Sequence, residues 1–396
     1  MAISRPVVLI GFGEALAAIE SAWSLRAAGF EVVAFTRSGS RPALRHCHGV
    51  QIHAISPPEK DAAGAVRDVE ALVRSVRPDS LLPLDDFALW ICKEVKVDGV
   101  VTAGGTGDAI EVALDKSRQL ALARAAGLLV PETQEVTALK DLTPTAWPVV
   151  IKPARAIYES GGALIRSIGA ACADQDELAR AAARGWYPPL LAQPLIQGVG
   201  EGLFGHASAD GVVAWSAHRR LRMLNPEGSA SSACVSIPAD PHLMDAVERL
   251  VYSIGWRGMF MAEFLRDAEG KPWFMELNGR AWGSMALARR RGFEYPAWTV
   301  QAAIDPSFKP VPPPSPPNVR CRHLGMEITH LAFVLRGPKS KAFTGWPRPW
   351  PTLGALLKVS RRDRLYNWNR REPRVLLADT WQTLGFYRRR MTRRIS

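Results

Sequence analysis

The segment from Met261 to Asn278 narrows the choice of fold more than any other stretch of the chain. Two apolar runs, Met261-Ala262-Glu263-Phe264-Leu265-Arg266 and Lys271-Pro272-Trp273-Phe274-Met275-Glu276-Leu277-Asn278, flank the short polar turn Asp267-Ala268-Glu269-Gly270. That pattern predicts an antiparallel hairpin. Side chains alternate across a strand, so Glu276 and Asn278 share a face, and pairing brings Glu263 onto it as well. Two carboxylates and an amide oxygen meeting on one face form a hard, oxygen-rich set suited to Mg²⁺. An exposed polar face with no ion is the plainer alternative, and this segment alone leaves both open. Arg280 would point the same way if the strand ran on, where a guanidinium can clamp a phosphoryl group.

Two lysines upstream favour the ion-binding alternative. Lys152 ends the apolar strand Trp147-Pro148-Val149-Val150-Ile151 and precedes Pro153. An ammonium at a buried strand end needs an anionic partner, because an unpaired buried charge is costly. Lys116 opens a helix that runs to Ala126, just after Asp115. Between Lys152 and the hairpin lies Tyr158-Glu159-Ser160-Gly161-Gly162-Ala163, whose paired glycines predict a mobile flap with N–H groups free to meet phosphate.

The first hundred residues alternate strand and helix. Strands are expected at Pro6–Ile10, Glu31–Phe35 and Ser80–Leu84, with helices over Glu14–Ala28 and Asp61–Arg77. This predicts a parallel sheet covered on both faces. Gly11 and Gly13 suggest a dinucleotide loop, but Leu16 stands at the third glycine position and no acid ends the second strand. The pattern therefore reads as a tight strand-to-helix turn. Further on, strands near 190–196, 202–208, 211–218, 258–265 and 272–278 look antiparallel, with a helix over Pro241–Ile254.

Charge is unevenly spread. Residues 307–396 hold 19 of the 50 Lys and Arg but 4 of the 38 Asp and Glu, so the rest of the chain is slightly acidic. The basic excess says nothing about what the body binds. The five cysteines form no CxxC pair and read as buried thiols. The N-terminus lacks a signal-peptide layout, and no stretch approaches the ~18 apolar residues of a membrane span. A cytoplasmic location is the default expectation.

Taken in order, these motifs resemble the ATP-grasp superfamily over roughly residues 1–300. The segments HRRLRMLNPEGS and ELNGRAWGSMALARRRGFEYP are similar to a group allied to the carbamoyl-phosphate synthase large subunit and to carboxylate–amine ligases. The resemblance implies a mixed α/β and α+β chain. A Rossmann-like parallel α/β domain would span 1–110 and an ATP-grasp domain 111–305, with its lid at about 111–190 and its metal and substrate part at about 191–305. A proline-rich linker at 306–318 and a basic Trp/Arg-rich extension at 319–396 would follow.

The same resemblance assigns roles. Lys116 and Lys152 would contact phosphate, and Ser160, Gly161 and Gly162 would cover it. Gln193 and the Leu195 backbone would hold adenine, and Glu201 would sit near the ribose. Glu263, Glu276 and Asn278 would bind two Mg²⁺, which Mn²⁺ can replace, while Arg280 would meet phosphate. Arg219, Arg220 and Arg222, with the loop Asn225–Ser232, would face the acceptor or the acyl phosphate. The implied activity joins a small-molecule carboxylate to an amine with ATP, releasing ADP and phosphate. A thiol, hydroxyl or ammonia acceptor, or a nucleotide-binding protein without catalysis, remain the alternatives.

The sequence departs from the family at three points: Gln193 where an acid is common, Gly279 where proline is usual, and Gly228-Ser229-Ala230 in place of a Gly-Gly pair. In the extension, Trp346, Trp350, Trp368 and Trp381 stand among arginines. Such a tail packs on the body with its arginines in water, or touches an anionic membrane surface. Nucleic acid is not an expected partner.

Overall fold

The computed structural model describes residues 5–144, 146–166, 168–228 and 230–392, with no side chains for 389–392. Ser229, in the loop read as facing substrate, and 393–396, in the terminal arginine-rich run, lie outside the described residues.

The N-terminal part is a parallel sheet of β1 (Val7–Gly11), β2 (Glu31–Arg37), β3 (Val50–Ile55), β4 (Ser80–Pro83) and β5 (Val101–Thr102), in spatial order β3-β2-β1-β4-β5. Val8 and Ile10 of β1 face one core and Leu9 another, all fully buried, as a strand covered on both sides requires. The covering helices are α1 (Ala18–Ala27), α2 (Ala62–Val76) and α3 (Asp86–Glu94). Gly11 has a packing reason: a Cβ there would lie 1.8 Å from the Phe35 ring. The expected first helix begins four residues late, because Glu14 turns back to accept from the Arg37 N–H at 2.9 Å.

Two short helices, α4 (Asp108–Leu114) and α5 (Lys116–Ala125), lead into a four-stranded sheet. Its strands are β6 (Gln134–Val136), β7 (Val149–Pro153), β10 (Ala170–Cys172) and β11 (Leu190–Pro194), all antiparallel, in order β10-β7-β11-β6. The hairpin of β8 (Tyr158–Ser160) and β9 (Ala163–Ile165) stands apart from it. The helix α6 (Gln175–Ala182) buries Leu178 and Ala181 against Val149, Ile151, Leu190 and Ala192. The opposite face therefore carries Val150, Lys152, Leu191 and Gln193.

The largest sheet holds β12 (Val199–Ser208), β13 (Gly211–Met223), β14 (Ser231–Ile237), β15 (Gly258–Arg266) and β16 (Pro272–Asn278). Its order is β16-β15-β12-β13-β14, continued by two strands from the extension. One face packs on α5 and on α7 (Pro241–Ile254) through Leu203, Ala262, Phe264 and Leu277. On the other, Phe204 and Met261 join the core of the first sheet with α8 (Met285–Arg290) and α9 (Tyr295–Ile304).

After the prolines, β17 (Arg320–Arg322) pairs antiparallel with β14, and β18 (Asp363–Leu365) pairs parallel with β17. The helices α10 (Leu324–Arg336), α11 (Pro349–Leu357) and α12 (Pro373–Thr392) complete the chain. The extension is thus woven into the largest sheet. Its Glu327, with a 4% exposed side chain, receives Arg222 and Arg322 from two of the sheet's strands. No described helix is long and apolar enough to cross a membrane.

Candidate active site

The hairpin reading carries through to coordinates. In β15 and β16, Glu263 pairs directly with Glu276 and Met261 with Asn278, so both acids and the amide share one face. Asn278 donates from Nδ2 to Glu276 Oε1 at 3.3 Å. Glu263 takes the Arg220 guanidinium at 2.7 Å. Glu276 has Lys116 Nζ at 3.7 Å, close enough for attraction but beyond hydrogen bonding.

Lys116 is placed by two contacts. Its N–H donates to the Ala154 carbonyl at 2.7 Å, just past Lys152. One helical turn on, the Gln119 amide accepts from the Leu277 N–H at 2.8 Å and donates to the Leu277 carbonyl at 3.1 Å. α5 therefore bridges the end of β7 and the outer edge of β16. Both lysines converge on the carboxylates as a result. Burial, and then repulsion from Lys116, lower the Lys152 ammonium to about 8, while Glu276 and Glu263 pull the other way. Lys152 forms no ion pair with a described residue. Glu276 stays acidic against its own burial, held down by Lys116, Arg280 and Lys152.

Asp86, at the start of α3, was not singled out by the sequence, and it changes the reading of Arg280. It accepts from Arg280 Nε at 2.8 Å and Nη2 at 3.4 Å, and it also holds Arg166. Those guanidinium positions are already paired, so Arg280 reaches phosphate only by sharing with or leaving Asp86. A surface-contact search from sequence would not find a partner 194 residues away.

Other expected positions fall differently. Glu201 lies on the reverse face of the sheet, since its neighbours in register are Arg219 and Phe264 whereas Gly202 pairs with Glu263. It is buried between Arg219 at 2.7 Å and Arg266 at 2.9 Å, which corrects the expectation of a ribose contact. Of the three β13 arginines, Arg220 alone meets the acids, because Arg219 is spent on Glu201 and Arg222 on Glu327. Gln193 shares the Lys152 face but donates to Thr133 Oγ1 at 2.7 Å. The Leu195 N–H already donates to the Pro148 carbonyl at 3.0 Å, so an adenine edge would have to displace that bond.

Ser160, Gly161 and Gly162 form the tip of the β8–β9 hairpin, where both glycines have positive φ. The expected free flap is instead docked on the first sheet. Gly162 accepts from the Ala62 N–H and Leu164 donates to Pro58, each at 2.8 Å, and Ile157 and Leu164 are buried there. The expected substrate loop ends early too, since Ser231 and Ser232 already belong to β14.

His218, beside Arg220 in β13, is a further buried group at this face. Its Nδ1 meets Ser284 Oγ at 2.9 Å, while its Nε2 has no partner among the described residues. Burial and the Arg220 charge lower it to about 3, so the ring is neutral.

The donor set fits a magnesium ion that arrives with phosphate. Among the described residues, no three His, Cys, Asp or Glu side chains converge as a self-sufficient metal site would require. Two carboxylates and an amide leave coordination positions for phosphate oxygens and water, the usual habit of Mg²⁺.

The sequence matches no protein-family model and no curated protein. Its fold matches solved structures at low identity. The L-amino acid ligase from Bacillus licheniformis is 17% identical with a TM-score of 0.59, over 77% of this chain and 75% of that one. Biotin carboxylase from Campylobacter jejuni is 14% identical with a TM-score of 0.60, over 78% and 72%. N5-carboxyaminoimidazole synthetase from Staphylococcus aureus is 15% identical with a TM-score of 0.56, over 78% and 79%. The chain has the ATP-grasp fold that these enzymes share.

Proposed function

We propose that the protein is an ADP-forming ligase that activates a small-molecule carboxylate with ATP and transfers the acyl group to an amine. The observation that carries this reading is the facing pair Glu263 and Glu276 with Asn278, ringed by Lys116, Lys152 and Arg220. A thiol, hydroxyl or ammonia acceptor is the alternative within the same chemistry. Among the proteins of this fold, one from Hydrogenobacter thermophilus is described in complex with MgADP and bicarbonate.

A carboxylate is a poor electrophile because its charge is shared over both oxygens. Moving the γ-phosphoryl group onto one oxygen breaks the bond to ADP and creates a leaving group. The amine then attacks the carbonyl carbon, phosphate departs and the amine loses a proton. Both reactants of the first step are anions, so cationic groups must offset their repulsion. Lys116 and Lys152 would hold the triphosphate, and Arg220 would orient Glu263. Glu263, Glu276 and Asn278 would hold magnesium, which neutralises phosphate charge when bound. The docked β8–β9 hairpin would exclude water. The test is an ADP-release screen over carboxylates and amines, with mass spectrometry of the product. Absence of ADP release across a broad panel, with ATP bound, would favour the non-catalytic alternative.

A specific observation supports a second partner, an anionic membrane surface touched weakly by the extension. Its four acids, Glu327, Asp363, Glu372 and Asp379, have side chains no more than 11% exposed; the first three are turned inward onto arginines and Asp379 lies 3.2 Å from the His323 ring. Trp350 and Trp381 are 81% and 74% exposed among outward arginines. Each basic residue near such a surface contributes about 1 kcal/mol. Co-sedimentation with anionic vesicles at low salt, lost at high salt, is the expected result, and no binding at low salt removes this partner.

A further inference from the structure

Single apolar side chains on a protein surface are ordinary, but in the extension they recur at helical spacing on two neighbouring helices. On α10, Leu324, Ile328, Leu331 and Leu335 fall on one stripe at about 100° per residue. On α12, Leu377, Trp381 and Leu384 repeat that spacing, and Arg388 continues it. Leu331 and Leu384 are half-buried and the other apolar members are exposed, Leu335 and Leu377 by 65% and 60%.

The two stripes form one surface. Gly325 of α10 lets α12 approach, since a Cβ there would lie 2.9 Å from the Thr383 side chain and 3.1 Å from the Thr380 carbonyl oxygen. Farther along, Phe333 meets Tyr387 with ring centroids 6.3 Å apart, so the helices run in the same direction. On α10 this contact lies about a quarter turn to one side of the stripe, and on α12 about a quarter turn to the other. For helices that run the same way, both stripes then face the same side of the pair. Met326, half a turn from the α10 stripe, packs on Leu224 just past β13. The shared apolar face therefore opens away from the largest sheet.

Charge says what covers it. The acids of the two helices are Glu327 and Asp379, and both are buried, so among the described residues the outer surface of the pair carries none. Arg374 and Arg388 are exposed at the two ends of the α12 stripe. The sequence adds Arg389, Arg390, Arg393 and Arg394 after them. A second copy of this chain would bring another set of arginines onto the same basic surface, and such like-charge juxtaposition opposes pairing. A bilayer of anionic lipid matches both halves of the pattern. Aliphatic side chains enter the acyl boundary, the indole sits at headgroup level and guanidinium groups meet phosphate.

We propose that α10 and α12 form an anchor that lies flat in the headgroup region of an anionic bilayer and sinks this face into it. The assignment deepens the membrane contact of the extension and rests on it, adding insertion of particular side chains to charge attraction. It also fixes the side of the protein that meets lipid, with α10 between the bilayer and the end of β13.

The test is flotation of the full chain at low salt with vesicles of equal parts phosphatidylcholine and phosphatidylglycerol, compared with phosphatidylcholine alone. Binding to the mixed vesicles and not to the neutral ones is expected. Lipids brominated along the acyl chain should quench tryptophan emission of the bound protein, and Trp381→Phe should reduce that quenching. Leu335→Glu combined with Leu377→Glu should lower vesicle affinity at least about tenfold, with circular dichroism and melting temperature unchanged. Arg374→Gln should lower affinity by less and leave the quenching of bound protein as it was. No binding by wild type overturns both the membrane contact and the anchor. Binding in which the double variant equals wild type overturns the anchor alone, because charge then suffices. Equal binding to neutral vesicles, or lipid-free dimers that the double variant abolishes, overturns it as well.

Discussion

The two faces of the largest sheet carry the same kinds of residue to opposite ends. On the reverse face, Glu201 is buried and both its oxygens are met by arginines within 3 Å. On the front face, Glu276 has, among the described residues, a lysine at 3.7 Å and an amide at 3.3 Å. Both acids lie on adjacent parts of one sheet, and either could be read as a ligand from sequence. The difference is satisfaction. A carboxylate whose lone pairs are filled by its own chain supports the fold, whereas one ringed by cations that stop short is waiting for another charged group.

The sharpest way to break this comparison is to neutralise each acid in turn. On the proposed role of Glu276 as a ligand to the ion that offsets phosphate charge, Glu276→Gln should lower ADP release by about a thousandfold or more with the fold intact. Turnover surviving that change would sink the front-face assignment. Glu201→Gln should do the reverse. It leaves two arginines facing a neutral group and should cost about 3 kcal/mol of stability, read by denaturant unfolding, with turnover per folded molecule nearly unchanged. A large loss of activity at unchanged stability would return Glu201 to the site.

Lys152→Ala sharpens the same contrast on the opposing sheet. Nucleotide affinity should fall about ten- to a hundredfold by calorimetry while the melting temperature holds or rises. The reason is that Lys152 is held below its ordinary value by burial and by Lys116. Between about pH 8 and its unfolded value the unfolded chain binds more protons, so this group adds stability as pH rises through that window. The smallest expected effect follows from the same shift. A triphosphate favours the ammonium form, so nucleotide binding near pH 8 to 9 should take up a fraction of a proton. Calorimetry in buffers of different ionisation enthalpy reads it directly, and uptake unaltered in Lys152→Ala would assign the proton elsewhere.

What was legible in the sequence had a period or a terminator. The helix over Pro241–Ile254 was readable to the residue because Asp240 caps it, proline opens it and Gly255 closes it at positive φ. The Glu263–Glu276 pairing followed from alternation about a tight turn. β14 was hidden because Ser-Ser-Ala-Cys-Val-Ser-Ile looks like loop, and its strand character comes from having neighbours on both sides. β3 was hidden for another reason: it is an edge strand paired with β2, and its Val50–Ile55 run shows little alternation in burial. Glu201 was misplaced for a subtler reason. Its face depends on whether it or Gly202 stands opposite Glu263, and a shift of one residue in register decides that. Asp86 and Glu327 needed the tertiary structure, since Arg280 and Arg222, which tie them to the site strands, stand 194 and 105 residues away.

The double hydrogen bond from Gln119 to Leu277 has a mechanical consequence. Because the same short helix is tied by its first residue to Ala154, it sits where the β7 sheet joins the β16 edge. A joint travels least when the parts it connects rotate. Opening and closing of the smaller sheet would therefore swing Gln193 through a wide arc while Lys116 stays beside Glu276, leaving one end of the cleft already assembled before a nucleotide arrives.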